Sequence, residues 1–213
     1  MAVQDPFDRA QPQEPSEETD GRRRRAQDSR RRIVEAMLAL VRETEISPSA
    51  EQVAARAGVG LRTVFRQFND MDSLYAEMSQ AIETGLWAVA AKPFVSRSWR
   101  GRLAEMVERR SGAFEQLGPF KRAADAQRAA SPFLAERHAR MVTVMRMLLG
   151  RVLPAEVAAD PARFEALDVL LSFETWWRLR RDQGLGPDEA RGVLHAAVDR
   201  IASGPQRRPA SNG

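Results

Sequence analysis

Apolar side chains recur three and four positions apart along most of the chain, which is the period of a helix that is buried on one face. Ile33 and Met37 show this spacing in the first such stretch, which we expect to begin near Asp28 or Ser29 and to end within residues 44–47. No stretch alternates between apolar and polar residues as a half-buried strand would. The pattern therefore predicts an all-α fold.

A short helix and a tight turn are predicted after this first helix. Ser49 and Gln52 have the spacing of a capping box, in which each side chain bonds the backbone N–H of the other residue. Gly58 suits the left-handed conformation that ends many helices, and Gly60 can act as the N-cap of the next one. Two helices joined by such a turn form a helix-turn-helix.

The helix after the turn has an apolar face and a polar face. Val64 and Phe68 are four residues apart and are predicted to pack inward. This leaves Arg62, Thr63 and Arg66 on the outer face, where their side chains have the donors and acceptors that base edges and phosphates require. A solvated polar face that binds nothing is the alternative interpretation.

A longer helix and a C-terminal helical region follow. Leu74, Met78 and Ile82 begin an apolar stripe that ends at Lys92 and Pro93, and a helix over this stripe would join the helix-turn-helix to the rest of the chain. Further helices are predicted at residues 99–117, 119–130, 132–152, 160–182 and 187–202. The last two would form an antiparallel hairpin, which either fills a core within one chain or packs against a second copy.

The composition excludes several classes of site. The 213 residues include no cysteine and only two histidines, which excludes thiol chemistry, disulfides and the common zinc sites. No nucleophile, base and orienting group recur at a meaningful spacing, so we expect neither an enzyme nor a cofactor. No stretch reaches the roughly 18 apolar residues of a membrane span, and we expect a cytoplasmic protein with no membrane partner.

Charge is unevenly distributed near the N-terminus. Residues 1–20 contain six acidic residues and three prolines, which is typical of a disordered segment. Arginines then fill positions 22–25 and 30–32. Such a run is either a solvated face or a basic arm that contacts nucleic-acid phosphates.

Four short motifs around the turn occur in one register. They are VAARAGVG at 53–60, Thr-Val-Phe at 63–65, Arg-Gln-Phe at 66–68 and Asp-Ser-Leu at 72–74. Together they resemble the DNA-binding domain of the tetracycline-repressor-like (TetR) family over residues 28–78. Phe65 and Met71 depart from that family, which usually has a tyrosine and a lysine there that contact phosphate. Phosphate contacts would then shift to the two arginine clusters.

The resemblance implies a homodimeric transcriptional repressor that a small-molecule effector releases from a near-palindromic operator in double-stranded DNA. The implied domains are a disordered acidic tail and basic arm at 1–27, a helix-turn-helix DNA-binding domain at 28–74, a helical effector-binding and dimerisation domain at 75–204 and a disordered tail at 205–213. The alternative is a helical ligand-binding or adaptor protein with a degenerate DNA-binding head.

Three sets of site residues follow from the pattern and the resemblance. The predicted DNA-binding residues are Arg22, Arg23, Arg24, Arg25, Ser49, Gly60, Leu61, Arg62, Thr63, Phe65, Arg66 and Gln67. The predicted effector pocket consists of Phe114, Phe133, Met141, Met145, Phe173 and Trp177. The predicted dimer interface consists of Leu167, Leu170, Leu171, Val193, Leu194, Ala197 and Ile201.

Overall fold

A computed structural model describes residues 17–44 and 47–204 of the chain. Within these ranges it contains helices and no strand. The helices are α1 (Glu17–Thr44), α2 (Ala50–Ala57), α3 (Leu61–Gln67), α4 (Met71–Ala90), α5 (Trp99–Gln127), α6 (Pro132–Val152), α7 (Ala155–Ala158), α8 (Pro161–Leu170), α9 (Phe173–Trp177) and α10 (Pro187–Ser203), and a π-helical turn, Arg178–Asp182, continues α9. The predicted all-α fold, with a helix-turn-helix ahead of a larger helical region, is confirmed.

The first helix starts earlier than the sequence predicts. α1 begins at Glu17 rather than near Asp28, so the predicted disorder is wrong for residues 17–27. The three prolines of the acidic segment all precede Glu17, and the arginines, alanine and glutamine that follow are good helix formers. The tails predicted at residues 1–16 and 205–213 lie outside the described residues.

α1, α2 and α3 pack around one apolar core, which continues into the helices that follow. Ile33 of α1 and Val53 of α2 have no exposed surface, and Phe68, directly after α3, is 2% exposed. The same cluster includes Phe120 of α5 and Leu134 of α6. The core therefore crosses the predicted domain boundary, and the helix-turn-helix packs directly on the C-terminal helices.

α5 is a single helix, although the sequence predicts a break at Pro119. Proline removes one N–H from the helical hydrogen-bond ladder and usually kinks or breaks a helix. Here the flanking residues Gly118 and Phe120 are buried, and a Cβ at Gly118 would come within 3.2 Å of the Trp177 ring. The packing of this segment against neighbouring helices therefore outweighs the local cost of the proline.

The single helix predicted at residues 160–182 is divided. α8 ends at Leu170, and the Ser172 hydroxyl caps α9 by accepting a hydrogen bond from the Thr175 N–H at 3.2 Å. The same hydroxyl donates to the Val169 carbonyl oxygen at 2.7 Å. Short polar side chains compete with the helical backbone for such bonds, so one serine interrupts a stretch whose apolar spacing is continuous.

A second core lies within the C-terminal helices. Trp176 of α9 is 1% exposed, and Leu149 of α6 and Leu167 of α8 have no exposed surface. α10 closes this core with Leu194 and Val198. Across the described ranges, every helix is too short or too polar to cross a membrane.

Candidate nucleic-acid interface and ligand cavity

α2 begins at a reciprocal cap formed by Ser49 and Gln52. The Ser49 hydroxyl accepts a hydrogen bond from the Gln52 N–H at 3.3 Å, and the Gln52 side-chain oxygen accepts one from the Ser49 N–H at 2.8 Å. These bonds satisfy backbone donors that the start of a helix leaves free. Ser49 is exposed, and its hydroxyl keeps a proton that it can donate to a further acceptor.

The turn between α2 and α3 is held in place by the backbone and by α1. Gly58 has φ 64° and ψ 40°, a left-handed conformation that favours glycine. The Val59 N–H donates to the Ala54 carbonyl oxygen at 3.0 Å. Arg32 of α1 donates to the carbonyl oxygens of Ala57 and Gly58. The turn therefore has a fixed orientation relative to α1.

α3 has the two faces that its sequence predicts. Val64 is 1% exposed and packs inward. Arg62 and Arg66 are exposed, and within the described residues neither side chain has a hydrogen bond or an ion pair. Leu61 and Phe65 are also exposed, at 38% and 46%. The outer face of α3 thus combines two uncompensated positive charges with two apolar side chains.

The other residues predicted to bind DNA differ from one another in exposure. Thr63 and Gln67 are half-buried, and Gly60 is exposed at the start of α3. Arg23 and Arg25 are exposed along the first part of α1, where the Arg25 side chain donates to the Gly21 carbonyl oxygen at 3.1 Å. Arg24 is exposed as well, and the side chain of Arg22 lies outside the described residues.

Two arginines that were expected to contact phosphate form bonds to neighbouring elements of the fold. Arg30 donates to the Glu77 carboxylate and to the Gln67 carbonyl oxygen, and its guanidinium lies 4.2 Å from the centre of the Phe68 ring. Arg32 is bonded to the turn after α2. These bonds use part of the hydrogen-bonding capacity of both side chains, and their predicted phosphate contacts stay a prediction.

A cavity of about 180 Å³ lies between α4, α5, α6 and the segment joining α8 to α9. Phe114, Met141, Met145 and Phe173 line it, as predicted from the sequence. Phe133 does not, because it is 41% exposed on the surface of α6. Trp177 also lies outside the lining residues: it packs on Phe173, with 5.7 Å between ring centres. These two pocket assignments are wrong.

Paired charges border this mostly apolar cavity, and they were not predicted from the sequence. Arg137 lies 2.5 Å from the Glu83 carboxylate, and Lys121 lies 2.5 Å from that of Asp125. The four-residue spacing of Lys121 and Asp125 on one helix is a signal that could have found that pair. The Glu83 pair joins α4 to α6 and has no local signal. Among the described residues, no group of three or more histidine or acidic side chains is placed to hold a metal ion.

His138 also lines the cavity, although the sequence suggests an exposed helix face. Burial lowers the pKa of its imidazole below the ordinary value of 6.5, and the nearby charges of Lys121 and Arg128 lower it further. The Asp125 carboxylate acts in the opposite direction. A neutral ring at this position can both donate and accept a hydrogen bond.

The predicted dimer interface needs correction, because three of its leucines fill the second core. Leu167, Leu171 and Leu194 are 0%, 2% and 4% exposed and cannot contact a second copy. Val193 is 46% exposed, and the remaining predicted residues are half-buried. Val169 is 61% exposed and was not predicted. The large apolar residues exposed on α8 and α10 are therefore Val169 and Val193.

Comparison with solved structures identifies the fold. A transcriptional regulator from Rhodococcus sp. Rha1 matches 85% of this chain and 100% of its own, with 21% identity and a TM-score of 0.63. The multidrug binding protein EbrR, complexed with imidazole, matches 79% of this chain and 89% of its own, with 24% identity and a TM-score of 0.55. Neither a protein-family model nor a curated protein matches the sequence. The chain therefore has the all-α fold of these two proteins.

Proposed function

We propose that the chain is a homodimeric, ligand-responsive transcriptional repressor of the TetR type, which binds a near-palindromic operator in double-stranded DNA. The observation that carries this proposal is the outer face of α3. It presents Arg62 and Arg66 without partners among the described residues, on a short helix that a capped α2 and a left-handed turn hold in place. A short helix of this kind fits the major groove, and arginine can bond a guanine through two acceptors.

The connection between α3 and the cavity supports regulation by a ligand. Leu74 and Met78 of α4 lie in the core of the helix-turn-helix, whereas Ser79 and Ile82 of the same helix line the cavity. A ligand that changed the position of α4 would therefore change the position of the DNA-binding surface. Such a ligand must bind the released state more tightly than the DNA-bound state, because equal affinity shifts no equilibrium.

Dimerisation would use the exposed apolar residues of α8 and α10. We expect Val169 of α8 and Val193 of α10 to lie in this interface, since they are 61% and 46% exposed, with the half-buried Ala197 beside them on α10. A two-fold dimer places the same surface of each copy against the other, so that two copies of α3 face successive major grooves. This arrangement would read half-sites about one helical turn apart, or a multiple of it.

The test is selection of binding sites by the purified full-length protein from a random pool of double-stranded DNA at near-physiological salt. The proposal predicts enrichment of a near-palindrome. The double variant Arg62→Ala/Arg66→Ala should lose this enrichment. Arg97→Ala/Arg178→Ala is the matched control, because it removes the same charge from two exposed arginines outside the helix-turn-helix. Absence of enrichment by a folded, dimeric wild-type protein would overturn the proposal.

The exposed arginines at the start of α1 should contribute in a different way. Arg23 and Arg25 lie outside the helix-turn-helix, and contacts from such positions to phosphates carry no sequence information. Arg23→Gln/Arg25→Gln should weaken binding to all DNA sequences equally. The slope of log affinity against log salt should fall by about one for each phosphate contact that is lost. A change in the selected sequence would contradict this assignment.

A ligand-binding or adaptor protein with a degenerate DNA-binding head is the second candidate. The observation that favours it is Phe65, an apolar side chain that is 46% exposed on the outer face of α3 and has no hydroxyl to bond a phosphate. The DNA selection distinguishes the two candidates, since an adaptor would bind ligand and show no sequence-selective DNA binding. Neither candidate is an enzyme, and both would act in the cytoplasm.

A further inference from the structure

A second cavity adjoins the one described above. It has a volume of about 280 Å³ and lies between the end of α4, the first half of α5 and the second half of α6. Arg110, Phe114 and Met145 line both cavities, which therefore share a wall. Neither volume alone reaches about 300 Å³, the lower end of the range for ligand pockets, whereas the two together do. A ligand of ordinary size would occupy both.

The charged residues of the second cavity have one sign. No acidic residue among those described lines this cavity. Four arginines do, namely Arg102, Arg109, Arg110 and Arg151. Arg102 donates to the Arg97 carbonyl oxygen at 2.8 Å. Arg110 donates to the carbonyl oxygens of Leu171 and Met145 at 3.1 and 2.7 Å. These acceptors are neutral, so they orient the guanidinium groups without cancelling their charge.

Arg109 and Arg151, the other two arginines, leave the net charge around the second cavity positive. Arg109 donates to the Pro93 carbonyl oxygen at 2.6 Å and to the Glu105 carboxylate at 3.2 Å. That carboxylate is not part of the cavity wall. Arg151 is exposed and has no hydrogen bond or ion pair with any described residue. Most of the positive charge around this cavity therefore has no counter-charge within it.

The same cavity has an apolar floor. Phe94, Met106, Leu148 and Val152 contribute to its wall. Arg110 keeps its proton at neutral pH, since burial lowers its pKa only to about 10. The first cavity differs, because Arg137 and Lys121 in its wall lie beside the carboxylates of Glu83 and Asp125. Arg102 and Arg151 have no ion pair among the described residues, and an apolar surface next to such guanidinium groups suits a molecule with one apolar part and one anionic part.

We propose that the second cavity binds the anionic head group, a carboxylate or a phosphate, of an amphipathic ligand whose apolar chain passes Phe114 and Met145 into the first cavity. This assignment deepens the proposed function, since it gives the chemical class of the effector. Val89 of α4 lines the second cavity and Ile82 the first. One ligand would therefore contact α4 at two places, which would favour transmission of binding to the helix-turn-helix.

The experiment measures binding of four ten-carbon probes to the full-length protein by calorimetry, in the absence of DNA. The probes are decanoate, decyl phosphate, decanol and decyltrimethylammonium. Both anions should bind at least about tenfold more tightly than the cation, as expected when a charge-assisted hydrogen bond is gained. The ranking of decanoate and decyl phosphate identifies the preferred head group. Equal binding of all four probes, or tighter binding of the cation, would overturn the proposal.

Substitution of the unpaired arginine tests the same point without disturbing the core. Arg151→Gln should weaken binding of the better anion by about tenfold and leave binding of decanol unchanged. Arg178→Gln is the matched control, because Arg178 is exposed and lines neither cavity. An unchanged anion affinity in Arg151→Gln would contradict the assignment.

The outcome is separable from that of the proposed function. Anion binding that follows the predicted pattern, in a protein that selects no DNA sequence, would support the ligand assignment and refute the repressor. Selection of a palindrome by a protein that binds decyltrimethylammonium more tightly than the anions would support the repressor and refute the ligand assignment.

Discussion

The arginines of α3 and Arg146 of α6 have opposite surroundings. Arg62 and Arg66 have no partner among the described residues. In the C-terminal helices, Arg146 donates to the carboxylates of Glu165 and Asp168 at 2.7 and 2.8 Å. The positive charge of a guanidinium that is bonded to a carboxylate is already balanced, whereas a guanidinium without such a partner attracts an anion. The contrast supports the proposal that α3 binds a partner, whereas Arg146 joins α6 to α8.

The two regions also differ in what fixes their backbone. α2 and α3 are short, and their ends are set by residues a few positions away, as in the cap of Ser49 and Gln52 and the turn at Gly58. α5 is long, and packing against other helices carries it through Pro119. Local interactions therefore define the ends of α2 and α3, and distant contacts define the C-terminal region.

Loss of a large core side chain should change the free energy of unfolding more than any other substitution considered for this contrast. Trp176→Ala should lower the free energy of unfolding by about 3–5 kcal/mol, because it leaves a cavity in the second core. It also removes the indole N–H that donates to Glu115 at 3.1 Å. Urea unfolding followed by circular dichroism gives the measurement. Trp87→Ala is the control: Trp87 is 40% exposed, and its change should stay within roughly 0.5 kcal/mol.

The same experiment tests whether the two regions unfold together. Because Phe120 and Leu134 lie in the core of the helix-turn-helix, Trp176→Ala should shift a single transition. Two separate transitions would show that the helix-turn-helix is stable without the C-terminal helices, and the contrast drawn above would then be one between independent domains.

A substitution in the turn between α2 and α3 should have the next largest effect on the free energy of unfolding. Gly58→Ala should lower the free energy of unfolding by about 1–2 kcal/mol, the cost of a left-handed conformation for a residue with a Cβ. That Cβ would lie 2.9 Å from the Arg32 guanidinium, so the bonds from α1 to the turn would also be disturbed. Gly112→Ala lies within α5, where a Cβ meets nothing within 4 Å. It should stabilise the protein by about 0.5–1 kcal/mol.

The sequence predicted the locally determined parts well. The cap of Ser49 and Gln52 and the backbone bonds of the turn join residues up to five positions apart, so their effect can be deduced from spacing alone. α6 was also predicted correctly, since Ser131 and Pro132 are a cap and a first-turn proline. The break at Ser172 was missed because serine occurs within many helices, and only the observed bonds show that this one ends α8.

The candidate cavity was predicted in part, for a related reason. Aromatic and methionine side chains fill cores and pockets alike, so the sequence could identify Phe114 and Met145 as core or pocket residues but not which residues face a void. The pair of Glu83 and Arg137 joins two helices that are distant in sequence. Its detection requires the packing of α4 on α6, which spacing does not reveal.

The cap of α2 gives a smaller effect that separates stability from DNA binding. Ser49→Ala should lower the free energy of unfolding by about 1 kcal/mol, since the N–H of Gln52 loses its acceptor. Ser49→Asp keeps an acceptor at the N-cap and should retain stability. Its negative charge should nevertheless weaken DNA binding, if Ser49 faces a phosphate. Thermal unfolding and binding to the selected DNA measure the two effects, and equal DNA affinity of Ser49→Asp and wild type would remove Ser49 from the interface.

The smallest effect concerns pH and is confined to the C-terminal helices, which contain both histidines of the chain. The pKa of His138 in the folded state lies below 6.5, chiefly because of burial. Above pH 6.5 the ring is neutral in both states, and pH has no effect through it. As the pH falls through 6.5 towards the folded-state pKa, the unfolded state takes up a proton that the folded state does not. The free energy of unfolding therefore decreases.

His138→Gln should remove this part of the pH dependence and leave the rest. Urea midpoints at about pH 7.5 and about pH 5 give the measurement, and the variant should lose less stability between them than the wild type does. Equal losses of stability in the variant and the wild type would show that the imidazole gains its proton as easily in the folded state as in the unfolded state. The charges of Asp125 and Glu174, which raise its pKa, would then outweigh burial, and the cavity wall would be more polar than its apolar lining implies.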